Sequence, residues 1–482
     1  MSNSATISQP TPVADYSAML QNIRRLIYLY LFLLIIEGAL RKWIVPQFSN
    51  PLLLVRDPVV LVIYLLAWRA HIFPRNAFIS SLATIGILSW IVSIFVLDPY
   101  VPMSRVLLVT AYGFRSNFLH LPLIFIFASV FDADDVRRIG WWILLGMIPM
   151  SLLMALQFHS APESFINRTV GLGEGEQITA GGGKIRPPGT FSFISGPIHC
   201  LTGAAAFVLY GALRRATYRN WLLLGAGCGV LLAIVVSGSR SLVMSVLLVV
   251  LSLAIVLLIR PDAVNRFGKS LVLLVLALLI VTRLPIVHEG LNILSSRFTE
   301  SAEAAETTIT GGLIQRTLSG FTEGLGHLGH APIFGFGLGV GTSGGAAFLM
   351  GQSTFLLSEN EWTRIIFESG PIFGLAFLLW RAALTAYLGF VSLRALTRAE
   401  ILPLLLFSAG FLIILNGQLG QPTSLGFAVV LNGLCLASTR RPGKIAPVPI
   451  APPLPRLVRG RSAYADRLHG ADASHRNGSA DR

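Results

Sequence analysis

The sequence of 482 residues has few charged side chains and few cysteines, and each shortage excludes a class of protein. Charged residues make up 12% of the chain, whereas soluble domains carry roughly 25%. The three cysteines, Cys200, Cys228 and Cys435, all lie in apolar runs, which disfavours a disulfide framework or a cysteine-based metal site. The polar stretch 1–22 lacks an apolar core followed by a small-residue cleavage site, so we expect no removable signal peptide.

Long apolar runs are what the sequence has instead. Hydrophobic residues make up 54% of the chain and the mean hydropathy is +0.70. Apolar runs of about 20 residues recur along the whole length, and such a run crosses a bilayer as one helix. We therefore predict an all-α, polytopic membrane protein with about twelve transmembrane helices and two long outer loops. The predicted spans are 26–45, 52–68, 77–97, 105–131, 141–157, 193–213, 221–237, 241–259, 269–287, 363–391, 399–416 and 423–438. The fourth and tenth are long enough to be bent or to extend beyond the bilayer.

The basic residues orient these spans. The net charge of +14 could indicate a nucleic-acid partner, but most Lys and Arg residues flank apolar runs, where they act as topology signals. We therefore expect these basic residues to interact with the lipid bilayer, and we expect no nucleic-acid partner. The positive-inside rule makes the more basic side the cytoplasm and places both termini there. Only Arg41 and Lys42 contradict this orientation, because it places them on the outer side.

Three regions follow from this pattern. Residues 1–25 form a cytoplasmic N-terminal segment, 26–438 a transmembrane domain, and 439–482 a Pro-rich, basic tail that we expect to be disordered in the cytoplasm. The outer loops cover about 158–192 and 288–362. Long loops in a compact protein are more often functional or disordered than neutral spacers.

The first outer loop ends in GGGKIRPPGTFSFISG, Gly181 to Gly196. Lys184 and Arg186 place two cations just above the predicted mouth of a span, and an arginine can bind phosphate oxygens in a bidentate pair. We interpret this segment as an anion site; the alternative is that Arg186 anchors the chain at the lipid head groups. A phosphate-binding P-loop is excluded, because no Ser or Thr follows the lysine and the loop faces outward.

A second basic motif is VVSGSRSLVM, Val235 to Met244. Arg240 lies between two apolar runs with almost no loop, at the predicted outer face. A charge in that position is costly unless it has a partner or a function. We favour an anion site facing an outer cavity, with a structural ion pair or carbonyl contact as the alternative.

The second outer loop is rich in glycine and contains GFGLGVG. No strand or βαβ unit precedes this run, which excludes a dinucleotide fingerprint, and we expect a turn-rich segment lining a site. Arg316 could supply a further cation or be a solvated surface charge. His327 and His330 lack further ligands at suitable spacing, so we predict no metal site. Glu174 and Glu176 in the first loop are interpreted as solvated carboxylates.

The loop ends in SENEWTRIIFESG, Ser358 to Gly370. On one helix, Glu361, Arg364 and Glu368 lie along one face at spacings of three and four residues, which favours ion pairs within that helix. We expect these pairs to form the polar edge of a helix entering the membrane. Glu359 and Asn360 are expected at its outer tip, next to the glycine-rich loop.

Four motifs in one order, R-P-P-G-T-F, S-G-S-R, P-I-F-G-F-G-L-G and E-N-E-W-T-R-I-I-F-E-S-G-P-I-F-G, cover roughly residues 180–380. In these motifs the chain resembles the bacterial O-antigen ligase/polymerase superfamily, which includes exopolysaccharide polymerases. The resemblance implies an inner-membrane glycosyltransferase that moves a glycan from undecaprenyl diphosphate to an acceptor on the periplasmic side. Its implied partners are the lipid-linked oligosaccharide, an acceptor glycan or lipid, and other polysaccharide-assembly proteins, with no cofactor.

The resemblance also implies roles for particular residues. Arg186 and Arg240, with Lys184 and Arg316, would bind the diphosphate. Ligases of the superfamily carry His-Asn about nine residues before Glu-x-Gly. Here Asn360, Glu368 and Gly370 keep that spacing, but Glu359 replaces the histidine that is taken as the base. We therefore predict Glu359 and Asn360 as the catalytic pair, in an inverting displacement that requires no metal.

Two other functions remain open on the sequence. A transporter or flippase for a lipid-linked or anionic substrate would show internal symmetry, broken helices near the midplane and small outer loops. A non-catalytic scaffold or sensor of polysaccharide assembly would keep the fold with a degenerate site. Within the enzyme class, the missing histidine favours an exopolysaccharide polymerase over a ligase.

Overall fold

Helices form nearly all of the regular structure in the computed structural model, which describes residues 12–170, 179–214, 217–259, 275–304, 320–351 and 356–441. The helices of the first half are α1 (Pro12–Ala39), α2 (Ser49–Leu52), α3 (Asp57–Arg69), α4 (Ala77–Leu97), α5 (Met103–Phe114), α6 (Leu123–Val130), α7 (Ala133–His159) and α8 (Ser195–Leu213). Those of the second half are α9 (Asn220–Val236), α10 (Arg240–Ile259), α11 (Val275–Thr282), α12 (Pro285–Ala304), α13 (320–326), α14 (Ser343–Met350), α15 (Glu361–Thr397), α16 (Leu402–Asn416) and α17 (Pro422–Ala437). The all-α prediction is confirmed for the described residues.

The smaller elements lie mainly in the connections. Two π-helical turns, Leu40–Ile44 and Arg115–Leu119, continue α1 and α5. Short 3₁₀ turns occupy Pro46–Phe48 and Phe165–Asn167. Strands β1 (Thr179–Gly181) and β2 (Lys184–Ile185) pair antiparallel as a small hairpin.

The described helices include several that are long and apolar enough to cross a membrane, so the chain is a multi-pass membrane protein. Seven segments meet that requirement: Pro46–Arg69, Ala77–Leu97, Met103–Val130, Ala133–His159, Ser195–Leu213, Arg240–Ile259 and Glu361–Thr397. The pair Val275–Thr282 and Pro285–Glu300, bent by 93° at its break, is a broken span or a re-entrant loop and would be an eighth if both parts form one span. The predicted span 26–45 falls on α1 and the π-helical turn after it, which are not among these segments. The count of twelve stays a prediction.

Both of the long predicted spans are interrupted. In Met103–Val130 the helix passes through the π-helical turn Arg115–Leu119 before α6 begins. In α15 the residue Gly370 has φ 71° and ψ 172°, followed by Pro371, so the helix breaks there and resumes. Gly370 tolerates the positive φ because it has no Cβ, and Pro371 removes a backbone donor at the same point.

Three shorter apolar helices, α9, α16 and α17, have 17, 15 and 16 residues. At 1.5 Å per residue they are shorter than the roughly 30 Å hydrocarbon core. The end of α16 shows how such a helix ends inside the protein. Arg381 donates hydrogen bonds to the free carbonyls of Ile414 at 2.6 Å and Gly417 at 2.8 Å. A guanidinium thereby satisfies backbone groups that water would otherwise have to reach.

The core lies around α8 and α17, whose residues are almost all buried. Helix α17 packs on α6, α8 and α16, and α16 also packs on α15. Helices α7 and α9 pack together beside them. This packing places the first turns of α8, α15 and α17 at the same end of the bundle.

Candidate functional site

Asn360 caps the first turn of α15 and attaches it to α13. Its Oδ1 accepts a hydrogen bond from the backbone N–H of Trp362 at 3.1 Å. Its Nδ2 donates to the carbonyl of Gly320 at 3.0 Å and to Glu323 Oε2 at 3.2 Å. The predicted position of Asn360 at the helix tip is confirmed. The side-chain amide of Asn360 thus bonds to protein groups of α13 and α15, so a substrate would have to compete with them for it.

Glu359 precedes this cap, and its side chain is exposed rather than partly buried. Its backbone carbonyl accepts a hydrogen bond from Gln418 Nε2 at 2.6 Å. Gln418 Oε1 accepts from Gln421 Nε2 at 2.5 Å, and Ser424 Oγ donates to Gln421 Oε1 at 3.4 Å. Ser424 Oγ also lies 3.4 Å from His199 Nε2, in the first turn of α8. We call these four side chains, Gln418, Gln421, Ser424 and His199, the polar chain.

Four charged side chains form a buried tetrad behind the tip of α15: Glu361, Arg364, Glu368 and Arg381, each less than 5% exposed. Arg364 contacts Glu361 Oε2 at 3.0 Å, Glu368 Oε2 at 2.6 Å and Asn117 Oδ1 at 3.0 Å. Arg381 contacts Glu361 Oε1 at 2.8 Å. The ion pairs expected within the helix are therefore present. These residues were expected to form the polar edge of a helix entering the membrane. That expectation is wrong, because their side chains are buried in the core, where they contact Asn117 and the end of α16.

The carboxylates of the tetrad also hold two loops. Glu368 Oε1 accepts a hydrogen bond from the backbone N–H of Gly341 at 2.9 Å, in the glycine-rich loop. Glu361 Oε1 accepts from the N–H of Leu419 at 3.1 Å, in the connection from α16 to α17. The tetrad carries two positive and two negative charges, so the cluster is neutral as a whole. Buried charges persist when they are paired and hydrogen-bonded in this way.

The glycine-rich loop enters the bundle between α4, α5 and α15. Gly335, Gly337 and Gly339 have φ of 73°, 110° and 93°, which favours glycine. Between them, the backbone N–H of Leu338 donates to Ser93 Oγ at 2.8 Å. The predicted turn-rich segment is confirmed, and its contacts lie against helices rather than on an open surface.

We expect Gly339→Ala to destabilise the protein by more than the positive φ alone would cost. A Cβ on Gly339 would lie 2.2 Å from the carbonyl oxygen of Val109, a backbone atom that cannot move aside. Gly351→Ala is the matched control, since Gly351 has φ 74° but nothing within 4 Å of a Cβ. That control should lose about 1–2 kcal/mol from the left-handed conformation. The thermal midpoint in detergent measures both, and equal shifts would contradict the close packing of the loop on α5.

A second buried network was not predicted from the sequence. It consists of Tyr30, Glu37, Arg56, Asp57, Arg115 and His120. The Tyr30 hydroxyl lies 3.0 Å from His120 Nδ1, and His120 Nε2 lies 2.9 Å from Asp57 Oδ1. Arg115 Nε donates to Asp57 Oδ2 at 2.8 Å. These residues come from three separate parts of the sequence, α1, the start of α3 and the region of the π-helical turn Arg115–Leu119, and only their packing reveals the network.

The π-helical turn Arg115–Leu119 joins this network to the tetrad. Arg115 binds the second network, whereas Asn117, two residues later, binds Arg364. Arg56 extends the second network to the carbonyl of Pro422 at 2.6 Å, at the start of α17. The two networks therefore meet at this turn, behind the first turns of α15 and α17. Such π-helical turns occur frequently at functional sites.

The predicted cations of the first outer loop lie on the β1–β2 hairpin. Lys184 Nζ forms an ion pair with Glu289 Oε1 at 3.3 Å and lies 5.4 Å from the centre of the Phe158 ring, near the end of α7. Arg186 follows β2 and is half-buried. Its Nε atom is buried and has no hydrogen-bond partner among the described residues. Such a donor is costly unless a ligand or water completes it.

Arg240 reaches the same hairpin through α12. Its Nη1 donates to the backbone carbonyl of Arg297 at 2.8 Å, and Arg297 Nη1 donates to the carbonyl of Thr179 at 3.0 Å. Gly238 lies directly against Ala180 of β1. The structure therefore brings Lys184, Arg186 and Arg240 to one hairpin. The carbonyl contact considered as a structural role for Arg240 is present.

The segment after Arg186 is fixed to the end of α1. Lys42 Nζ donates to the carbonyl of Gly189 at 2.7 Å, and Gln157 Oε1 accepts from the Gly189 N–H at 2.7 Å. Thr190 Oγ1 donates to the carbonyl of Ile35 at 2.7 Å. Lys42 is thus buried in a structural contact, which explains why it departs from the topology pattern. Neither Lys42 nor Gln157 belongs to a recognisable motif.

Arg316, Glu174 and Glu176 lie outside the described residues. His327 and His330 are described, with ring centres 6.1 Å apart. Within the described ranges, no group of three or more His, Cys, Asp or Glu side chains is placed to hold a metal ion.

The described geometry therefore has two polar centres at one end of the bundle, the cationic hairpin and the tip of α15. Protein-family models, curated protein sequences and solved structures were all compared with the chain, and none matches it.

Proposed function

We propose that this protein transfers a glycan from an undecaprenyl-diphosphate donor to an acceptor hydroxyl at the periplasmic face of the bacterial inner membrane. The proposed reaction is polymerisation of exopolysaccharide or O-antigen repeat units, with inversion at the anomeric carbon. One observation supports it most. The polar chain connects the backbone carbonyl of Glu359 to His199 near the start of α8, and the segment that precedes α8 carries Lys184 and Arg186.

In this mechanism the two centres have separate tasks. Glu359 takes the proton of the acceptor hydroxyl while the hydroxyl oxygen attacks the anomeric carbon of the donor sugar. The bond from that carbon to the diphosphate oxygen breaks, and undecaprenyl diphosphate leaves with the electron pair. Arg186 and Arg240, with Lys184 and Arg316, neutralise the developing phosphate charge, so arginine groups rather than a metal ion supply the positive charge.

The proposal includes the full topology. Twelve spans, with both termini in the cytoplasm, place the hairpin and the tip of α15 on the periplasmic side. The buried contacts of Arg41 and Lys42 support this orientation, because side chains bound to Ser49, Ser192 and Gly189 are not free topology signals.

Deletion of the gene tests the function directly. We expect long polysaccharide chains to disappear and single lipid-linked repeats to accumulate at the periplasmic face. Loss of only a capped lipid or glycoprotein would indicate a ligase instead. An unchanged polysaccharide profile would exclude both and favour a non-catalytic scaffold.

Arg186→Gln and Arg240→Gln should each lower polysaccharide output by about tenfold or more. A hydrogen bond to a charged group is worth roughly 1.5–3 kcal/mol, and about 1.4 kcal/mol corresponds to tenfold. Output per cell is measured in the deletion strain, with protein amount in the membrane determined in parallel.

The matched control for these variants is Arg168→Gln, an exposed arginine in the same outer loop. It should leave output unchanged, which separates binding of the diphosphate from the general charge of the surface. Full output from both Arg186→Gln and Arg240→Gln would contradict the diphosphate assignment.

A transporter of a lipid-linked substrate is a second candidate, and the broken helices favour it. Helix α15 breaks at Gly370, α11 and α12 meet at 93°, and the glycine-rich loop enters the bundle. Transporters often build their sites from such discontinuous helices. The deletion strain distinguishes the candidates, because a lost transporter would leave lipid-linked repeats at the cytoplasmic face.

A further inference from the structure

The connection between α16 and α17, residues 417–421, is bonded to the turn that carries Glu359. Gln418 Nε2 donates a hydrogen bond to the backbone carbonyl of Glu359 at 2.6 Å. The Glu359 side chain is exposed, so packing does not fix it, and its backbone decides where the carboxylate can reach. Asn360, the next residue, is held as the cap of α15. Gln418 therefore supplies the contact that holds Glu359 itself.

The direction of the Gln418 amide is fixed by its neighbour in the polar chain. Gln421 Nε2 donates to Gln418 Oε1 at 2.5 Å, so the amide nitrogen of Gln418 faces Glu359. A reversed amide would place its oxygen, which cannot donate, against the carbonyl oxygen of Glu359. Beyond Gln421 both contacts of Ser424 are 3.4 Å long, whereas O–H···O hydrogen bonds are usually about 2.7–2.8 Å. The polar chain is therefore tight at its Glu359 end and loose at its His199 end.

Both backbone neighbours of Gln418 are attached to the buried tetrad. The carbonyl of Gly417 accepts a hydrogen bond from Arg381 Nη2 at 2.8 Å, and the N–H of Leu419 donates to Glu361 Oε1 at 3.1 Å. Arg381 and Glu361 are buried and paired with each other. Gln418 thus reaches the exposed turn from a backbone that is anchored in the core.

We propose that Gln418 is a positioning residue for Glu359, with Gln421 fixing the direction of its amide and the tetrad fixing its backbone. The inference rests on the proposed function, in which Glu359 is the general base. A base must come within about 2.6–3.2 Å of the group whose proton it takes. An exposed carboxylate on a loose turn would satisfy that distance only part of the time, and Gln418 restricts the turn.

Gln418→Met tests the effect on output, because methionine keeps the length of the side chain and removes its donor. We expect polysaccharide output in the deletion strain to fall by about tenfold to a hundredfold, since a displacement of about 1 Å can cost roughly 10²-fold. Gln421→Met should lower output by less, because it acts through Gln418. Gln47→Met, at an exposed glutamine of the 3₁₀ turn Pro46–Phe48, is the matched control and should leave output unchanged.

A double variant separates positioning from a general loss of structure. In a Glu359→Gln background the base is already absent, so Gln418→Met should cause little further loss of the residual output. A purely structural role would lower output by the same factor in both backgrounds, and that result would overturn the inference.

A spin label tests the contact without any reaction. Glu359→Cys is labelled in the purified full-length protein in nanodiscs, and the mobility of the label is measured by electron paramagnetic resonance. The native cysteines, which are buried or half-buried, give the background. We expect Gln418→Met to increase the mobile fraction at position 359, and Gln47→Met to leave it unchanged. A label at Glu303→Cys, on an exposed residue of α12, should not respond to either.

The outcome is separable from that of the proposed function. An immobile label in Gln418→Met, or full output from that variant in the deletion strain, would overturn the positioning role and leave the transfer reaction standing. An unchanged polysaccharide profile on gene deletion would remove the reaction, and with it the role of Gln418 in catalysis, whatever the label shows.

Discussion

Arg364→Met is expected to cost about 3–5 kcal/mol of stability, because it removes one charge from a neutral, buried cluster. Arg364 is 4% exposed and binds Glu361, Glu368 and Asn117. Without it, Glu368 keeps the N–H of Gly341 but has no other ion pair among the described residues. The thermal midpoint of the detergent-solubilised protein and the yield of monodisperse protein measure the loss.

A double variant tests whether the loss of stability comes from the unpaired charge. Arg364→Met combined with Glu368→Met removes one charge of each sign, and the remaining pair, Glu361 and Arg381, stays neutral at 2.8 Å. We expect the double variant to be more stable than Arg364→Met alone, since an apolar replacement of a whole pair is often tolerated. Arg394→Met, at an exposed arginine on the same helix, should have no measurable effect. If Arg364→Met were as stable as wild type, the balance of charges in the tetrad would not contribute to the stability of the protein.

Glu359→Gln is expected to reduce polysaccharide output by about 10²–10⁴-fold, the usual contribution of a general base. Glutamine keeps the size of the side chain and its hydrogen-bonding ability but cannot accept the proton. Because the Glu359 side chain is exposed, the fold should not change, and the thermal midpoint should equal that of wild type. Output is measured in the deletion strain at matched protein amount.

Two further variants make the assignment of Glu359 sharper. Glu359→His introduces the residue found at the matching motif position in the O-antigen ligases that the sequence resembles, and we expect it to retain more output than Glu359→Gln. Glu303→Gln, at an exposed carboxylate of α12, should behave as wild type. Full output from both Glu359→Gln and Glu359→Ala would exclude Glu359 as the base, and Asn360 would then remain as the cap of α15 alone.

The helices were predictable because apolar length is a local property. A run of about 20 apolar residues is helical in a bilayer wherever it occurs, since every backbone group must bond within its own segment. The cap at Asn360 and the ion pairs around Arg364 were also predictable, because their partners lie within four residues. The break in α15 follows the same logic, because Gly370 and Pro371 are adjacent in the sequence, whereas the π-helical turn Arg115–Leu119 contains neither glycine nor proline.

The partners of the buried charges were not predictable, because each comes from a distant part of the chain. Arg364 binds Asn117 and Arg381 binds the end of α16, yet neither pair shares a motif. The polar chain from Gln418 to His199 was not predictable either, because no sequence motif links these residues. Glutamine and serine on apolar helices usually have no function beyond packing, so only their alignment in space draws attention to them.

The sequence alone determined the class of this protein, its helices and the positions where charge enters the apolar segments, because hydropathy and spacing act over a few turns. Tertiary structure decided which charges are buried in contacts between elements and which are exposed. The polar residues of SENEWTRIIFESG have separate roles for this reason. Glu361, Arg364 and Glu368 are enclosed by neighbouring elements and hold the loops, whereas Glu359 remains exposed at the tip. Burial depends on what packs against a residue, and that is a property of the whole fold.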